Sequence, residues 1–227
     1  MKILRKSISI LSCAILVSSV LFPCEANAQK KIEAAADTTA FFQGVVVGAD
    51  LFGAIQRQVS DYRQYEAFLR LNLKGKYFPV LELGYGEAEC SEDPISHITA
   101  KTKAPYMRVG CDFNVLKNKH DIYKVFVGAR YGYSKYDFEM SHPGVEDKIW
   151  GGRVPISVND PCNAHWLEAV FGVDAKVIGP VHLGWSFRYR RRISSKLPSV
   201  GESWYIPGYG RAGSTCLGGT FNLSIGI

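Results

Sequence analysis

The amino-acid sequence predicts an all-β fold, an eight-stranded antiparallel up-and-down transmembrane β-barrel, on three observations. From residue 41 onward, apolar and polar residues alternate with period two, interrupted by Gly, Pro, Asn and charged clusters. The polar face of this alternation is rich in glycine and in charge of both signs. The connections between alternating segments are short and long in turn, as in outer-membrane barrels.

The N-terminus predicts export from the cytoplasm. Lys2, Arg5 and Lys6 precede an apolar run over residues 8–21, and Ala26-Asn27-Ala28 offers small residues where a signal peptidase cuts. We therefore expect a signal peptide over residues 1–28.

Two alternatives for this segment stay open. A lipid-anchored Cys24 would make the chain a lipoprotein, although Pro23 stands where a small residue is expected. An uncleaved membrane anchor is the other alternative, but the apolar run is short for a span of about 20 residues.

The remaining chain is expected to form one domain. Polar residues 29–40 predict a flexible periplasmic leader, and residues 41–227 predict the barrel. Cleavage after residue 28 of 227 would leave 199 residues, enough for a single core.

Composition argues against several other classes of function. A net charge of +6 with dispersed basic residues gives no support for nucleic-acid binding. Cys90, Cys111, Cys162 and Cys216 are widely spaced, so we expect no zinc site, while their disulfide state is left open. We expect no cofactor and no metal.

Eight segments carry the alternation. In chain order they cover about residues 42–56, 64–75, 78–89, 104–116, 121–138, 164–177, 180–194 and 213–227. The pattern is clearest in the last four segments, whose apolar faces include Val127, Phe171, Leu183 and Leu223. Short connections are expected near residues 75–76, 117–120 and 178–180, and long ones near 57–63, 90–103, 139–163 and 195–212.

Whether the apolar or the polar face of the strands points inward distinguishes a soluble barrel from a membrane barrel. In an outer-membrane barrel the apolar face contacts lipid and the glycine-rich, charged face fills the lumen. That arrangement predicts a network of mixed charges inside the barrel: Asp50, Arg70, Glu82, Arg108, Asp112, Arg130, Glu168, Asp174, Lys176, Arg188 and Arg190. Eight strands leave a lumen filled by side chains, so the barrel is not expected to be a pore.

Several stretches carry a resemblance to a known family. They include Tyr77-Phe78-Pro79-Val80-Leu81-Glu82-Leu83-Gly84, Val127-Gly128-Ala129-Arg130-Tyr131-Gly132, Gly184-Trp185-Ser186-Phe187-Arg188 and Trp204-Tyr205-Ile206-Pro207-Gly208-Tyr209-Gly210. With them, residues 42–227 resemble a Bacteroidota family of outer-membrane proteins known as domain of unknown function 6048. The resemblance implies a small outer-membrane barrel without catalytic residues, and a role as a subunit of larger outer-membrane assemblies such as the barrel-insertion machinery.

Two long loops carry the candidate partner-binding residues. Aromatic residues and arginine commonly anchor interfaces, which favours Trp150, Arg153, Trp204, Tyr205, Tyr209 and Arg211. The alternative is a loop that folds back and caps the barrel rim.

Two further sets have simpler interpretations. Within Arg188-Tyr189-Arg190-Arg191-Arg192, Arg191 faces outward, where it would contact outer-leaflet phosphates or simply extend to the interface. Ser141, His142, His165 and Glu168 would be the candidates for a lipid-modifying enzyme, but their spacing shows no catalytic geometry.

The expected function is therefore non-catalytic. We expect an outer-membrane barrel that contacts outer-membrane lipid and presents loops to outer-membrane proteins or surface lipoproteins. A lipid-modifying enzyme and a soluble lipocalin-like carrier are the alternatives.

Overall fold

A computed structural model describes residues 40–56, 62–90, 97–119, 121–144, 151, 155–211 and 213–227. These residues belong to a compact unit that covers Thr39–Ile227. The predicted signal peptide, nearly all of the leader, Trp150 and Arg153 lie outside the described residues.

Ten strands and one short helix make up the described part of this unit. In chain order they are β1 (Phe42–Asp50), α1 (Leu51–Gln56), β2 (Tyr62–Leu73), β3 (Tyr77–Cys90), β4 (Thr99–Asn114), β5 (Tyr123–His142), β6 (Ile156–Ile178), β7 (Val181–Lys196), β8 (Tyr205–Ile206), β9 (Gly210–Arg211) and β10 (Thr215–Gly226).

Eight of these strands form a closed antiparallel barrel. Each of β1 to β7 pairs with its neighbour in the chain, and β10 pairs with both β7 and β1. The closing pair runs from Val46 opposite Gly226 to Asp50 opposite Asn222. The predicted eight-stranded up-and-down barrel is thus confirmed.

The connections differ between the two ends of the barrel. Residues 74–76 and 179–180 make short turns at one end, where residues 115–119 and 121–122 also lie with the start of β1 and the end of β10. The ends of β3, β5 and β7 and the starts of β2, β4, β6 and β10 lie at the other end, which we call the outer mouth. Three of the connections there are longer than those at the turn end, as predicted, whereas β3 and β4 are joined by eight residues, as β4 and β5 are.

The first predicted strand is too long. Residues 51–56 form α1 instead, because the Asp50 carboxylate accepts hydrogen bonds from the backbone N–H groups of Phe52 (3.0 Å) and Gly53 (3.2 Å). These bonds satisfy the first turn of the helix and end the strand.

The third long loop is shorter than predicted. β5 reaches His142 and β6 begins at Ile156, so the two strands pair well beyond the predicted limits. Tyr136 and Phe138 continue the buried face there, while Asp137 and Glu139 are exposed.

The outward face of the barrel has an apolar band of limited height. On β3 it runs from Tyr77 to Tyr85, nine residues with an apolar residue at every outward position. Glu87 and Glu89 follow on the same face. About 9–11 residues of a tilted strand cross a bilayer, so the band has the height of a hydrocarbon core. Within the described residues, no helix has the length and apolarity of a membrane span.

Glycine on the inward face makes room for large rings on the next strand. Gly132 lies opposite Trp166, and a Cβ atom at Gly132 would lie 2.1 Å from the Trp166 indole. We expect Gly132→Ala to lower the free energy of unfolding by about 1–3 kcal/mol through overpacking.

The matched control is Gly219→Ala, whose Cβ would meet only the Ser186 carbonyl oxygen at 3.5 Å. We expect this variant to stay within about 0.5 kcal/mol of the parent. Urea unfolding followed by the gel shift between folded and boiled protein measures both. Equal stability of the two variants would contradict the register of β5 and β6.

Candidate functional site

The interior of the barrel is organised around the carboxylate of Glu82. Arg130 donates from Nε to Oε1 at 2.7 Å, and Arg108 donates from one guanidinium nitrogen to Oε2 at 3.0 Å. Arg188 donates to both carboxylate oxygens, at 2.7 and 3.1 Å. Glu82 and the three arginines are all at least 98% buried, so three cations from three other strands share one buried anion.

Two further carboxylates complete this centre. Glu66 accepts a hydrogen bond from Arg108 at 2.5 Å and lies 3.4 Å from Arg188. Glu168 lies 3.5 Å from both arginines and 3.2 Å from Arg190. Each arginine of the centre therefore contacts at least two carboxylates.

The network continues towards the turn end of the barrel. Asp112 accepts two hydrogen bonds from the Arg130 guanidinium, at 2.9 and 3.0 Å, in the bidentate geometry that favours Arg–carboxylate pairs. Arg70 lies 3.4 Å from Asp112 and 3.8 Å from Asp174, and Asp174 contacts His182 Nδ1 at 2.8 Å.

The network is balanced in charge over the residues that the structure describes. Its five arginines are matched by five carboxylates: Arg70, Arg108, Arg130, Arg188, Arg190, Glu66, Glu82, Asp112, Glu168 and Asp174. Buried charge is tolerated when it is paired and hydrogen-bonded. Each charge of the network lies within 3.8 Å of an opposite charge, although Arg70, Arg108 and Arg190 each keep a buried Nε without a hydrogen-bond partner among the described residues.

The structure places ten of the eleven predicted lumen residues inside the barrel, and nine of these join the network. Asp50 is buried but stands apart, because its carboxylate accepts from the backbone N–H groups of Phe52, Gly53 and Phe221. Lys176 is exposed at the turn end, which corrects the prediction for that residue. Glu66 was not among the predicted lumen residues, although it shares the inward parity of Arg70 on β2.

Towards the outer mouth the interior becomes aromatic. The Tyr106 hydroxyl donates to Glu66 at 2.8 Å, and Trp166 Nε1 donates to Glu168 at 2.7 Å. Their rings join a buried apolar cluster with Tyr136 and Phe138. Apart from Arg190, which lines a cavity at the mouth, this layer separates the charge network from the mouth.

The last long connection folds into the mouth as a small hairpin. β8 and β9 pair through Tyr205 opposite Arg211, and the tip between them, Pro207-Gly208-Tyr209, is buried. Gly208 has φ +80°, and a Cβ there would lie 2.4 Å from the Tyr106 ring, so glycine permits both the turn and the contact. Arg190 donates to the Tyr209 carbonyl oxygen at 2.9 Å, which joins the hairpin to the charge network.

This burial argues against Tyr205 and Tyr209 as partner-binding residues. Tyr205 is 1% exposed and Tyr209 is fully buried, so the loop caps the barrel rim as the alternative interpretation held. Burial also raises the pKa of Tyr205 to about 12, which keeps its hydroxyl neutral. Of the predicted partner-binding residues, Trp204 is half-buried and Arg211 is exposed.

The candidate catalytic residues do not converge. His165 faces outward, where its Nδ1 lies 2.6 Å from the Tyr131 hydroxyl, while Glu168 lies inside the barrel. His142 accepts a hydrogen bond from the Gly144 backbone N–H at 3.0 Å. Cys90, Cys111, Cys162 and Cys216 are free thiols, and the described residues contain no cluster able to hold a metal ion.

The surface beyond the apolar band is charged. Lys101, Lys103, Asp137 and Glu139 surround a shallow depression on the extended parts of β4 and β5. Lys101 also lies 3.7 Å from Glu89 on β3. β5 and β6 continue past this level to His142 and Ile156 and form the longest projection among the described strands.

Comparison with known proteins places the chain in a family. The profile described as "Domain of unknown function (DUF6048)" matches residues 5–227. No curated protein matches the chain.

Three solved structures are similar at low identity. Ail, the attachment invasion locus protein of Yersinia pestis, solved with the heparin analogue sucrose octasulfate, is 10% identical over 81% of this chain and 93% of its own, with a TM-score of 0.36. A major outer membrane protein from Thermus thermophilus is 10% identical over 81% and 98%, with a TM-score of 0.45. Acinetobacter baumannii CarO2 is 11% identical over 83% and 100%, with a TM-score of 0.37. Likeness at this level carries no functional information.

Removal of the central carboxylate tests the network. Glu82→Ala would leave three buried guanidinium groups without their shared anion, so we expect a loss of about 3–5 kcal/mol in the free energy of unfolding. Equilibrium unfolding in urea, with the barrel in lipid vesicles, gives this value.

Glu89→Ala on the same strand is the matched control. Glu89 pairs with Lys101 in an exposed contact, which is worth about 0–1 kcal/mol. If Glu82→Ala were no more destabilising than Glu89→Ala, the network would not hold the barrel together.

Proposed function

We propose, from the premise that this chain belongs to the DUF6048 family, that it is a non-catalytic integral barrel of a bacterial outer membrane. It acts as a structural or interaction subunit, and its interaction surface is the part of the barrel beyond the apolar band. The observation that carries the proposal is the inverted distribution of polarity: charges fill the inside, and apolar side chains cover the outside.

The membrane location follows from the energetics of these two surfaces. Leu83, Val127 and Phe171 are 45–55% exposed, whereas Glu82, Arg130 and Arg188 are at most 2% exposed. In water, such a continuous apolar exterior would be an aggregation hazard. In a bilayer the same exterior contacts the lipid chains, and the ladders between paired strands satisfy the backbone hydrogen bonds of those strands.

The predicted signal peptide supports the same location. Residues 1–28 would direct the chain across the inner membrane, and the sequence resemblance indicates the outer membrane of Bacteroidota. The apolar band on the outward face of the barrel supports the proposed contact with outer-membrane lipid.

The filled interior supports a role at the surface. The charge network and the hairpin in the mouth occupy the lumen, so a conducting path has no place in this barrel. The projecting ends of β5 and β6 and the charged depression beside them remain available to partners. Outer-membrane proteins or surface lipoproteins are the partners we propose.

More specifically, we propose that the protein is an accessory subunit of a larger outer-membrane complex such as the barrel-insertion machinery. It rests on the family resemblance alone. The non-catalytic assignment is supported by the separation of His165, outside the barrel, from Glu168, inside it.

Membrane contact is tested by an arginine placed in the middle of the band. Val127→Arg should lower the free energy of unfolding in lipid vesicles by about 2–4 kcal/mol, because the bilayer centre disfavours the guanidinium. Asp137→Arg, outward on the same strand but beyond the band, should change it by less than about 0.5 kcal/mol. Equal effects of the two changes would argue that the band does not face lipid.

Surface association is tested by charge reversal. We expect the parent, extracted from its native membrane in mild detergent, to migrate on a native gel as a species larger than the barrel alone. A variant with Lys103→Glu and Asp137→Lys should migrate as the lone barrel, because the charges facing the partner are inverted.

Lys117→Glu, at the turn end, is the control and should migrate like the parent. A parent that migrates as a lone barrel would overturn the proposed subunit role. If the double variant still migrated as the large species, the partner would bind at a surface other than this depression.

A further inference from the structure

The wall of the barrel is incomplete on one side near the outer mouth. β1 pairs with β10 only as far as Asp50, opposite Asn222, and with β2 only as far as Ala49, opposite Ala67. Above that level, no strand of the described residues lies between residues 215–221 of β10 and 62–66 of β2. The six residues of α1 stand in the gap.

The gap lies at the outer edge of the apolar band. Tyr65 pairs with Tyr85, the last apolar outward residue of β3, and Leu217 pairs with Tyr189 on β7. If the band spans the membrane as proposed above, the gap opens into the leaflet nearest the mouth.

The position of α1 in the gap is fixed from both sides. The Asp50 carboxylate, which caps α1, also accepts a hydrogen bond from the Phe221 backbone N–H at 3.0 Å. On the other side, a Cβ atom at Gly53 would lie 2.0 Å from the Gln64 carbonyl oxygen. The glycine therefore lets the helix lie directly on the edge of β2.

A cavity of about 540 Å³ lies behind the gap. Its size is that of a site for one small ligand, about 300–1,000 Å³. Its wall is thin on β10, where Gly218 and Gly219 line it without side chains. It is bounded by α1 and β2 on one side, by β10 on the other, and by the hairpin of β8 and β9 above.

The two ends of the cavity differ in polarity. The inner end holds the Tyr205 hydroxyl, which is buried and has no hydrogen-bond partner among the described residues, and the buried Arg190. Arg211, which is exposed, also lines the cavity. The outer end holds Phe52 and Leu217, which are 48% and 64% exposed. A buried hydroxyl without a partner is costly, and an entering acceptor would supply the missing bond.

We propose that this gap is a lateral portal that holds one anionic lipid of the surrounding leaflet. The anionic headgroup lies inside, within reach of the Tyr205 hydroxyl and the two arginines. The acyl chains pass between Phe52 and Leu217 and remain in the bilayer. The inference rests on the proposed membrane location, and it adds a ligand class that the subunit role does not contain.

The experiment uses the full barrel in phosphatidylcholine vesicles with a minor fraction of phosphatidylglycerol. After flotation and mild detergent extraction, native mass spectrometry measures lipid that stays bound. We expect the parent to retain phosphatidylglycerol about tenfold over phosphatidylcholine, and Tyr205→Phe to lose most of that preference, in line with one hydrogen bond to a charged group. Tyr189→Phe, outward on β7, is the matched control and should behave like the parent.

A second variant and a second probe cover the other outcomes. Arg211→Gln keeps the hairpin core and should also weaken retention, whereas Lys117→Gln, at the turn end and away from the cavity, should not; this pair decides the matter if Tyr205→Phe does not fold. Equal retention of both lipids by the parent would overturn the portal, as would inorganic phosphate binding as strongly as the lipid. A chain that does not float with vesicles would overturn the membrane location itself.

Discussion

The structure depends on one electrostatic constraint: the buried Glu82 carboxylate must pair with three buried arginines. Arg108, Arg130 and Arg188 project from β4, β5 and β7, so one anion on β3 links four of the eight barrel strands. A buried guanidinium has a large desolvation cost that only close carboxylates offset. A one-residue slip of β4, β5 or β7 would turn its arginine to the outer face and remove one of the three partners of Glu82. The network therefore specifies register as well as filling space.

The outer surface follows from the same alternation. Because successive side chains point to opposite faces, inward Glu82, Arg108 and Arg130 place Leu83, Val109 and Tyr131 on the outside. The charges inside thus require the apolar band outside. Where the inward residues change to Ala100, Ala104, Tyr136 and Phe138, the outward residues change to charge, and the barrel leaves the band. A cavity of about 540 Å³ at the mouth and one of about 280 Å³ at the turn end are separated by the network.

The period-two alternation of apolar and polar residues was enough to predict the barrel, the order of its strands and which charged residues face inward. Local patterns failed where contacts between distant residues decide the structure. The helix over residues 51–56 depends on the close approach of Gly53 to the backbone of Gln64 on β2. The burial of Tyr209 depends on its packing with Tyr106 and Trp166. The early start of β6 was hidden by Pro161, which is tolerated because β6 has only β5 as a neighbour there. The alternation along β2 predicts that Glu66 faces inward. Its partners on β4 and β7, however, cannot be predicted from the sequence of β2 alone.

The central claim is that buried, paired charges close the barrel and confine its function to the surface. Current across a planar bilayer containing the purified barrel measures this most directly, with the hairpin of residues 203–211 replaced by a short Gly-Ser linker as well as intact. Since the network lies beneath the hairpin, both forms should pass no current above the bare bilayer at any applied voltage. Stepwise, ohmic conductance through the intact barrel would show an open lumen and contradict the account.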